Sequence, residues 1–341
     1  MLTALVGLAG ALIYGSADFL GGLAAKRLSS VLVTAVAASS GLLVLLLALP
    51  FVGGVWSPDA VLWGALSGVS GAIAISLLYA CLAIGPMSIL SPLTAVVSAI
   101  VPMTAGLVGG ERLAPVGYAA LGLALVAVVL VGFVPEKGAV RPTTLGVLMA
   151  IGSGIMIGAF LILIDLTPDD SGLVPLVLNR AVNAAIMFSI VGVLAFVAAR
   201  RRRVLAGVGA TGGDASGMSS GVASSAGRAG SDTASGFEAT DAVARATDPA
   251  AVPEHTGRRT RSTLTIGLTL AAVCGVIDVA ANLLLLIGIR IGDLSVISVL
   301  TAMYPAGTIL LAAVVLKERI APVQWVGLGL ALAAAARLAL A

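Results

Sequence analysis

Ten stretches of nearly unbroken apolar sequence follow one another along the chain, at roughly 4–24, 31–53, 60–84, 88–108, 114–134, 144–166, 173–199, 263–289, 294–316 and 321–340. About 20 consecutive apolar residues cross the hydrocarbon core of a bilayer as a helix. Inside lipid the backbone amides find partners only within a helix or a closed barrel, and these runs are too long and too uniformly apolar for barrel strands. Composition points the same way: the 341 residues are 59% hydrophobic and 10% charged, with a mean hydropathy of +1.13, against about 25% charged residues in soluble domains. The expected fold class is therefore all-α integral membrane, with ten transmembrane helices. Most gaps between runs are short, which makes consecutive helices antiparallel neighbours in one bundle.

The charged punctuation "GERLAP" at Gly110 to Pro115 returns as "KERIAP" at Lys317 to Pro322, an offset of 207 positions. At that offset Ser88 meets Ser295, Ser91 meets Ser298, Leu93 and Thr94 meet Leu300 and Thr301, and Glu111 and Arg112 meet Glu318 and Arg319. Gly122 meets Gly329 as well. A unit of five spans is thus read twice, at 1–134 and at 144–341. An odd number of spans per unit forces the second copy into the membrane in the opposite orientation. Two inverted halves around one site can open it to each side in turn, so the expectation is a carrier working by alternating access. Pro115 and Pro322 fit the first position of the following helix, where no backbone donor is needed, and Glu111 and Glu318 are read as turn and topology residues.

Residues 200–262 differ in kind, opening on Arg200 to Arg203 and continuing as a Gly/Ala/Ser tract with too little apolar surface to fix its backbone. The expectation is a disordered loop interrupting the second unit. It holds two chance matches to known motifs, "GVGATG" at Gly207 to Gly212 and "GMSSG" at Gly217 to Gly221, without the strand and helix that give such patterns their chemistry. His255, the single histidine of the chain, lies there too and is read as solvated. Cys81 and Cys274 fall inside apolar runs without metal-ligand spacing and are read as small core residues. With no histidine in any span and no HExxH, an intramembrane lipid-processing enzyme is a poor rival, and no enzymatic activity is expected. A channel or a scaffold is the other rival.

Positive charge close to the span ends is lopsided: thirteen lysines and arginines follow spans 1, 3, 5, 7 and 9, against Arg112, Arg290 and Arg337 on the other face. By the positive-inside rule this count puts the 200–262 segment in the cytoplasm and both termini outside. The bases lie between apolar runs rather than along a soluble face, so nucleic acid is not an expected partner. The tryptophans Trp56, Trp63 and Trp325 sit near span ends, as interfacial belts require.

A charge in the middle of a span costs about 2.5 to 3.5 kcal/mol on insertion scales and so needs a partner or a wet cavity. Asp18, Arg180 and Asp278 are three such charges, and polar neighbours follow at helical spacing: Tyr14 four before Asp18, Asn183 three after Arg180, Asn282 four after Asp278. These stripes are expected to converge on one cavity, where Asp18 or Asp278 takes a cationic group or a coupling proton and Arg180 takes a substrate carboxylate or neutralises one Asp. The bland alternative is a permanent ion pair of Arg180 with one of them. Tyr79 and Tyr304 are candidate hydroxyl donors, Ser91 and Ser298 are repeat-equivalent candidates, and Pro92 and Pro305 are expected to interrupt spans 4 and 9.

The two five-span units, the first span with Gly15 and Ser16 in "YGSADFLGG", and the fourth and ninth spans running into "GERLAP" and "KERIAP" resemble the EamA family of the drug/metabolite transporter superfamily. The resemblance covers the chain apart from 200–262. It implies a ten-helix inverted-repeat carrier of the cell membrane, often an exporter of amino acids or other small metabolites, with a cavity lined mainly by helices 1, 3, 4, 6, 8 and 9. It also implies both termini in the cytoplasm, the reverse of the charge count. The expected partners are the lipid bilayer and a small-molecule substrate, with a coupling proton and a second copy of the chain left open; no cofactor or metal is expected.

Overall fold

The computed structural model describes residues 2–84, 87–132, 142–211, 257–317 and 320–340, and among them helices but no strand. The helices are α1 Leu2–Ala25, α2 Ser30–Val52, α3 Pro58–Ile84, α4 Met87–Val108, α5 Pro115–Gly132, α6 Thr144–Asp165, α7 Val174–Thr211, α8 Gly257–Ile291, α9 Leu294–Thr301, α10 Tyr304–Val315 and α11 Pro322–Leu340. A short 3-10 turn at Asp169–Ser171 precedes α7. Counting α9 with α10, nine helical stretches among the described residues are long and apolar enough to span a membrane, and the shorter Pro322–Leu338 is apolar as well. This is an all-α integral membrane fold.

Local chemistry sets the helix ends. Pro115 and Pro322 open α5 and α11, where the missing N–H costs nothing. Thr143 caps α6 by accepting from the Gly146 amide at 3.1 Å, and Ser57 accepts from the Ala60 amide at 3.1 Å to start α3.

Two expectations are corrected. Pro92 does not interrupt its span: α4 runs through both Pro92 and Pro102. Pro92 is the sixth residue of the helix and removes a single intrahelical bond, that to the Ser88 carbonyl; further along, Thr94 Oγ1 donates to the Leu90 carbonyl at 3.0 Å and to the Ala150 carbonyl of α6 at 3.2 Å. Pro305 lies at a helix start rather than inside one. It stands at the start of α10, just after the break at Ala302 and Met303 that divides the ninth span. The second correction concerns the 200–262 segment: Arg200 to Thr211 continue α7 and Gly257 to Ser262 open α8. Extending an existing helix needs no new nucleus, and arginine, leucine and alanine are good helix formers. The "GVGATG" stretch is consequently helical through Thr211. Residues 212–256, with His255 and the "GMSSG" stretch, lie outside the described residues, as do Glu318 and Arg319.

Helix packing exchanges under a swap of the two halves. α1 lies on α8 as α6 lies on α3, α1 lies on α9 and α10 as α6 lies on α4, and α2 lies on α8 as α7 lies on α3. The pairs α2 with α7, α4 with α9 and α5 with α11 map onto themselves. Small residues allow these contacts, as is usual where lipid supplies no hydrophobic drive. A Cβ on Gly68 would lie 2.6 Å from the Asn179 carbonyl oxygen of α7, and one on Gly275, at the 207 offset, would collide with the Ala37 carbonyl of α2. Polar side chains bond across the same seams: Ser70 to the Met156 carbonyl at 2.7 Å, Ser153 to the Ala74 carbonyl at 2.8 Å, Ser40 to the Ala272 carbonyl at 2.9 Å.

Candidate functional site

The two ends of the bundle differ. The end that carries residues 53–57, 109–114, 166–173 and 292–293 is termed the Glu111 face, and the end that carries Lys26 and Lys317 the Lys26 face. On the Glu111 face the connections are bonded to one another: the Val55 amide donates to the Asp170 carbonyl at 3.0 Å and the Leu173 amide to the Gly53 carbonyl at 3.2 Å. Gly53 and Gly172 have φ of 76° and 51° in these turns, a region open to glycine at little cost. Arg290, at the end of α8, ties the α6–α7 connection down through Asp169 at 2.6 Å, Thr167 at 2.9 Å and Ser171 at 3.1 Å.

Glu111 makes a further link on this face. Its carboxylate accepts from the Leu294 amide at 2.6 Å and the Ser295 amide at 3.0 Å, so a residue between α4 and α5 caps α9. Asp293, beside it, has its carboxyl pushed up by burial and then by the charge of Glu111. The turn reading of Glu111 is thus extended by a role across the bundle that needed knowledge of a contact 183 positions away.

Deeper in the bundle, four of the candidate residues join in one network. Arg180 of α7 forms an ion pair with Asp278 of α8. Asn282, one turn further on, donates from Nδ2 to the Asp278 carbonyl at 2.7 Å and to its Oδ2 at 3.3 Å. Tyr14 of α1 donates its hydroxyl to Asn282 Oδ1 at 2.7 Å. Three helices are therefore held by one polar chain, with the pair's side chains only 13% and 21% accessible.

Asp18 stands apart. One turn after Tyr14 on α1, it is exposed and forms no ion pair or hydrogen bond among the described residues. The helices that pack on α1 around this stretch are α8 and α10. Cys274 borders this region, half-buried, and its thiol donates to the Ala17 carbonyl at 3.1 Å. Below it α1 and α10 touch backbone to backbone: a Cβ on Gly15 would lie 2.6 Å from the Thr308 nitrogen and 2.7 Å from Gly307 Cα. Thr308 donates to the Gly15 carbonyl at 3.1 Å.

The remaining candidates are placed elsewhere. Asn183 is 4% exposed and turns to α3, where a Cβ on Gly71 would lie 3.4 Å from its Nδ2; its Oδ1 has no partner among the described residues. Ser298 is fully buried in α9 and donates to the Ser295 carbonyl at 3.0 Å. Ser91 is half-buried on α4, and the side chain of Tyr79 lies outside the described residues. Among the described residues no group of three metal-binding side chains occurs. Sequence reasoning did not find the α1–α10 crossing, for which the glycine of "YGSADF" was the available signal.

Comparison with known proteins fits this geometry. A solved structure titled only "Crystal structure of protein" superposes with a TM-score of 0.61 at 15% identity, over 99% of this chain and 98% of that chain. At that identity the likeness concerns the fold alone. No curated protein matches the sequence. Residues 251–340, which hold Asp278, Asn282 and the broken ninth span, match the EamA-like transporter family. The likeness to that family extends over residues 251–340, and over the rest of the chain the solved structure carries the fold alone.

Proposed function

We propose that the chain is a secondary carrier that exports a small polar metabolite, an amino acid or a related compound, by alternating access between two inverted five-helix units, 1–134 and 144–341. Asp18 carries the reading. With Asp278 neutralised by Arg180, Asp18 is the other of the two mid-span carboxylates, accessible and without an ion-pair partner among the described residues. Such a group takes an ammonium or a proton, and competition between the two couples export to proton entry. The Arg180–Asp278–Asn282–Tyr14 chain fixes the wall against which the rest of the substrate lies. The exchange of packing pairs between halves supports the rocking motion, and the bonded Glu111 face supports a state closed on that side. The charge count favours the Lys26 face as cytoplasmic.

Reconstitution into liposomes tests this. A carrier gives saturable uptake that is stimulated by substrate loaded on the opposite side, and Asp18→Asn abolishes it while the protein remains folded. Flux linear in concentration without counter-stimulation would mark a channel. Wild-type flux in Asp18→Asn would remove the coupling role.

A further inference from the structure

We infer that Glu111 is a positioning residue that latches the Glu111 face shut by holding the N-terminus of α9, an inference that rests on the alternating-access reading. The first amides of a helix have no intrahelical acceptor. In α9 the residue placed to serve them is Asp293, at φ −72° and ψ 137°, yet its side chain makes no capping bond. The carboxylate that does so comes from the connection between α4 and α5. Both bonds are charge-assisted, and the helix dipole adds to them.

The end of α4 is shaped around this carboxylate. A Cβ on Gly106 would lie 2.6 Å from Glu111 Cδ, so any larger residue would displace it. The Glu111 amide donates back to the Gly106 carbonyl at 3.1 Å, and Gly110, at φ 110°, turns the chain. What is held is central: Leu294 to Leu300 are all buried, and the far end of α9 is the break before Tyr304, whose backbone meets Gly15 beside the Tyr14 and Asp18 stripe.

A cap supplied by Asp293 would travel with α9 and would hold whatever the conformation. One supplied from the other half of the chain lasts only while the two halves keep this arrangement, so opening of the Glu111 face must break it. Glu111 therefore sets how often that face opens, through the position of α9, without touching substrate.

The test uses the full chain in liposomes with Cys81→Ala and Ala4→Cys. Ala4 is 4% exposed in the cluster that joins α1 to α9, and native Cys274, bonded to the Ala17 carbonyl, reports on the stretch of α1 that carries Asp18. A membrane-impermeant maleimide is applied to one face at a time. Glu111→Gln is expected to raise labelling at position 4 from the Glu111 face roughly tenfold, the factor for weakening by about 1.4 kcal/mol, and to lower labelling of Cys274 from the Lys26 face. Glu111→Asp, charged but shorter, gives an intermediate rate. If neither rate changes in Glu111→Gln, the latch is wrong and alternating access stands. If position 4 becomes accessible while Cys274 is labelled as before, the faces open independently, and both the latch and alternating access fall. Should Glu111→Gln fail to fold, Glu111→Asp decides, and wild-type labelling in it overturns the latch.

Discussion

The pair of Arg180 and Asp278 allows the sharpest test of how the bundle handles charge. Removing one partner of a buried pair leaves the other charge uncompensated, at a cost of about 3–5 kcal/mol. Here the side chains are 13% and 21% accessible, so water reaches the orphan in part, and we expect about 2–4 kcal/mol for Arg180→Gln or Asp278→Asn. At roughly 2 °C per kcal/mol, the low end expected for large chains, each single variant should melt about 4–8 °C below wild type in detergent. The double variant carries no net charge change and keeps an acceptor at 278 for Asn282, so it should melt closer to wild type than either single. Fixed scan rate matters, because unfolding of such proteins is commonly irreversible. A double variant that loses the sum of the two single losses would refute the pairing. Flux adds a second readout: recovered stability with no recovered transport would place Arg180 on the substrate as well as on Asp278.

Asp18→Asn should leave the melting temperature within about 1 °C of wild type, since an accessible surface-type substitution rarely exceeds 0.5 kcal/mol, while transport in liposomes is lost. Tyr14→Phe removes the 2.7 Å bond to Asn282, itself 3% exposed, and should cost about 1 kcal/mol by thermal melting. Gly15→Ala forces α1 from α10 against backbone atoms and should cost about 1–3 kcal/mol. Gly22→Ala on the same helix, where a Cβ meets nothing within 4 Å, should cost nothing in the same melting assay, and equal effects of the two would refute the close crossing.

Element positions were legible because hydrophobic runs bounded by Pro115, Pro322 and Thr143 leave lipid-spanning helices little choice. The network was partly legible. Four-residue spacing put Asp278 and Asn282 on one face, and they do bond. Three-residue spacing suggested the same for Arg180 and Asn183, but positions three apart are rotated by about 60° around the helix. In α7 that rotation sends Arg180 to α8 and Asn183 to α3. Pro92 illustrates the same limit: whether a proline breaks a helix depends on the packing around it, and here α4 runs on through Pro92 with Thr94 bonded to the Ala150 carbonyl of α6. The Glu111 cap was invisible for a deeper reason, since it joins residues whose approach is produced by the fold.

The repeat explains why the scaffold is symmetric and the site is not. At the 207 offset Gly68 and Gly275 both occupy helix crossings, on α7 and α2. Three residues further along, Gly71 of the first unit corresponds to Asp278 of the second, and there the chemistry diverges: Gly71 faces Asn183, whereas Asp278 takes Arg180 and Asn282. For the proposed carrier, rocking between two states needs only that the crossings exchange, a task that small residues common to both halves can perform. Binding one substrate needs a single constellation, and a second copy of Asp278 at position 71 would bring another charge into the bundle with no arginine of its own. Gly71→Asp should therefore destabilise the protein far more than its partner position suggests, by about the 2.5 to 3.5 kcal/mol of an uncompensated charge in a span. A melting temperature within about 2 °C of wild type would show that the α3–α7 seam already admits water.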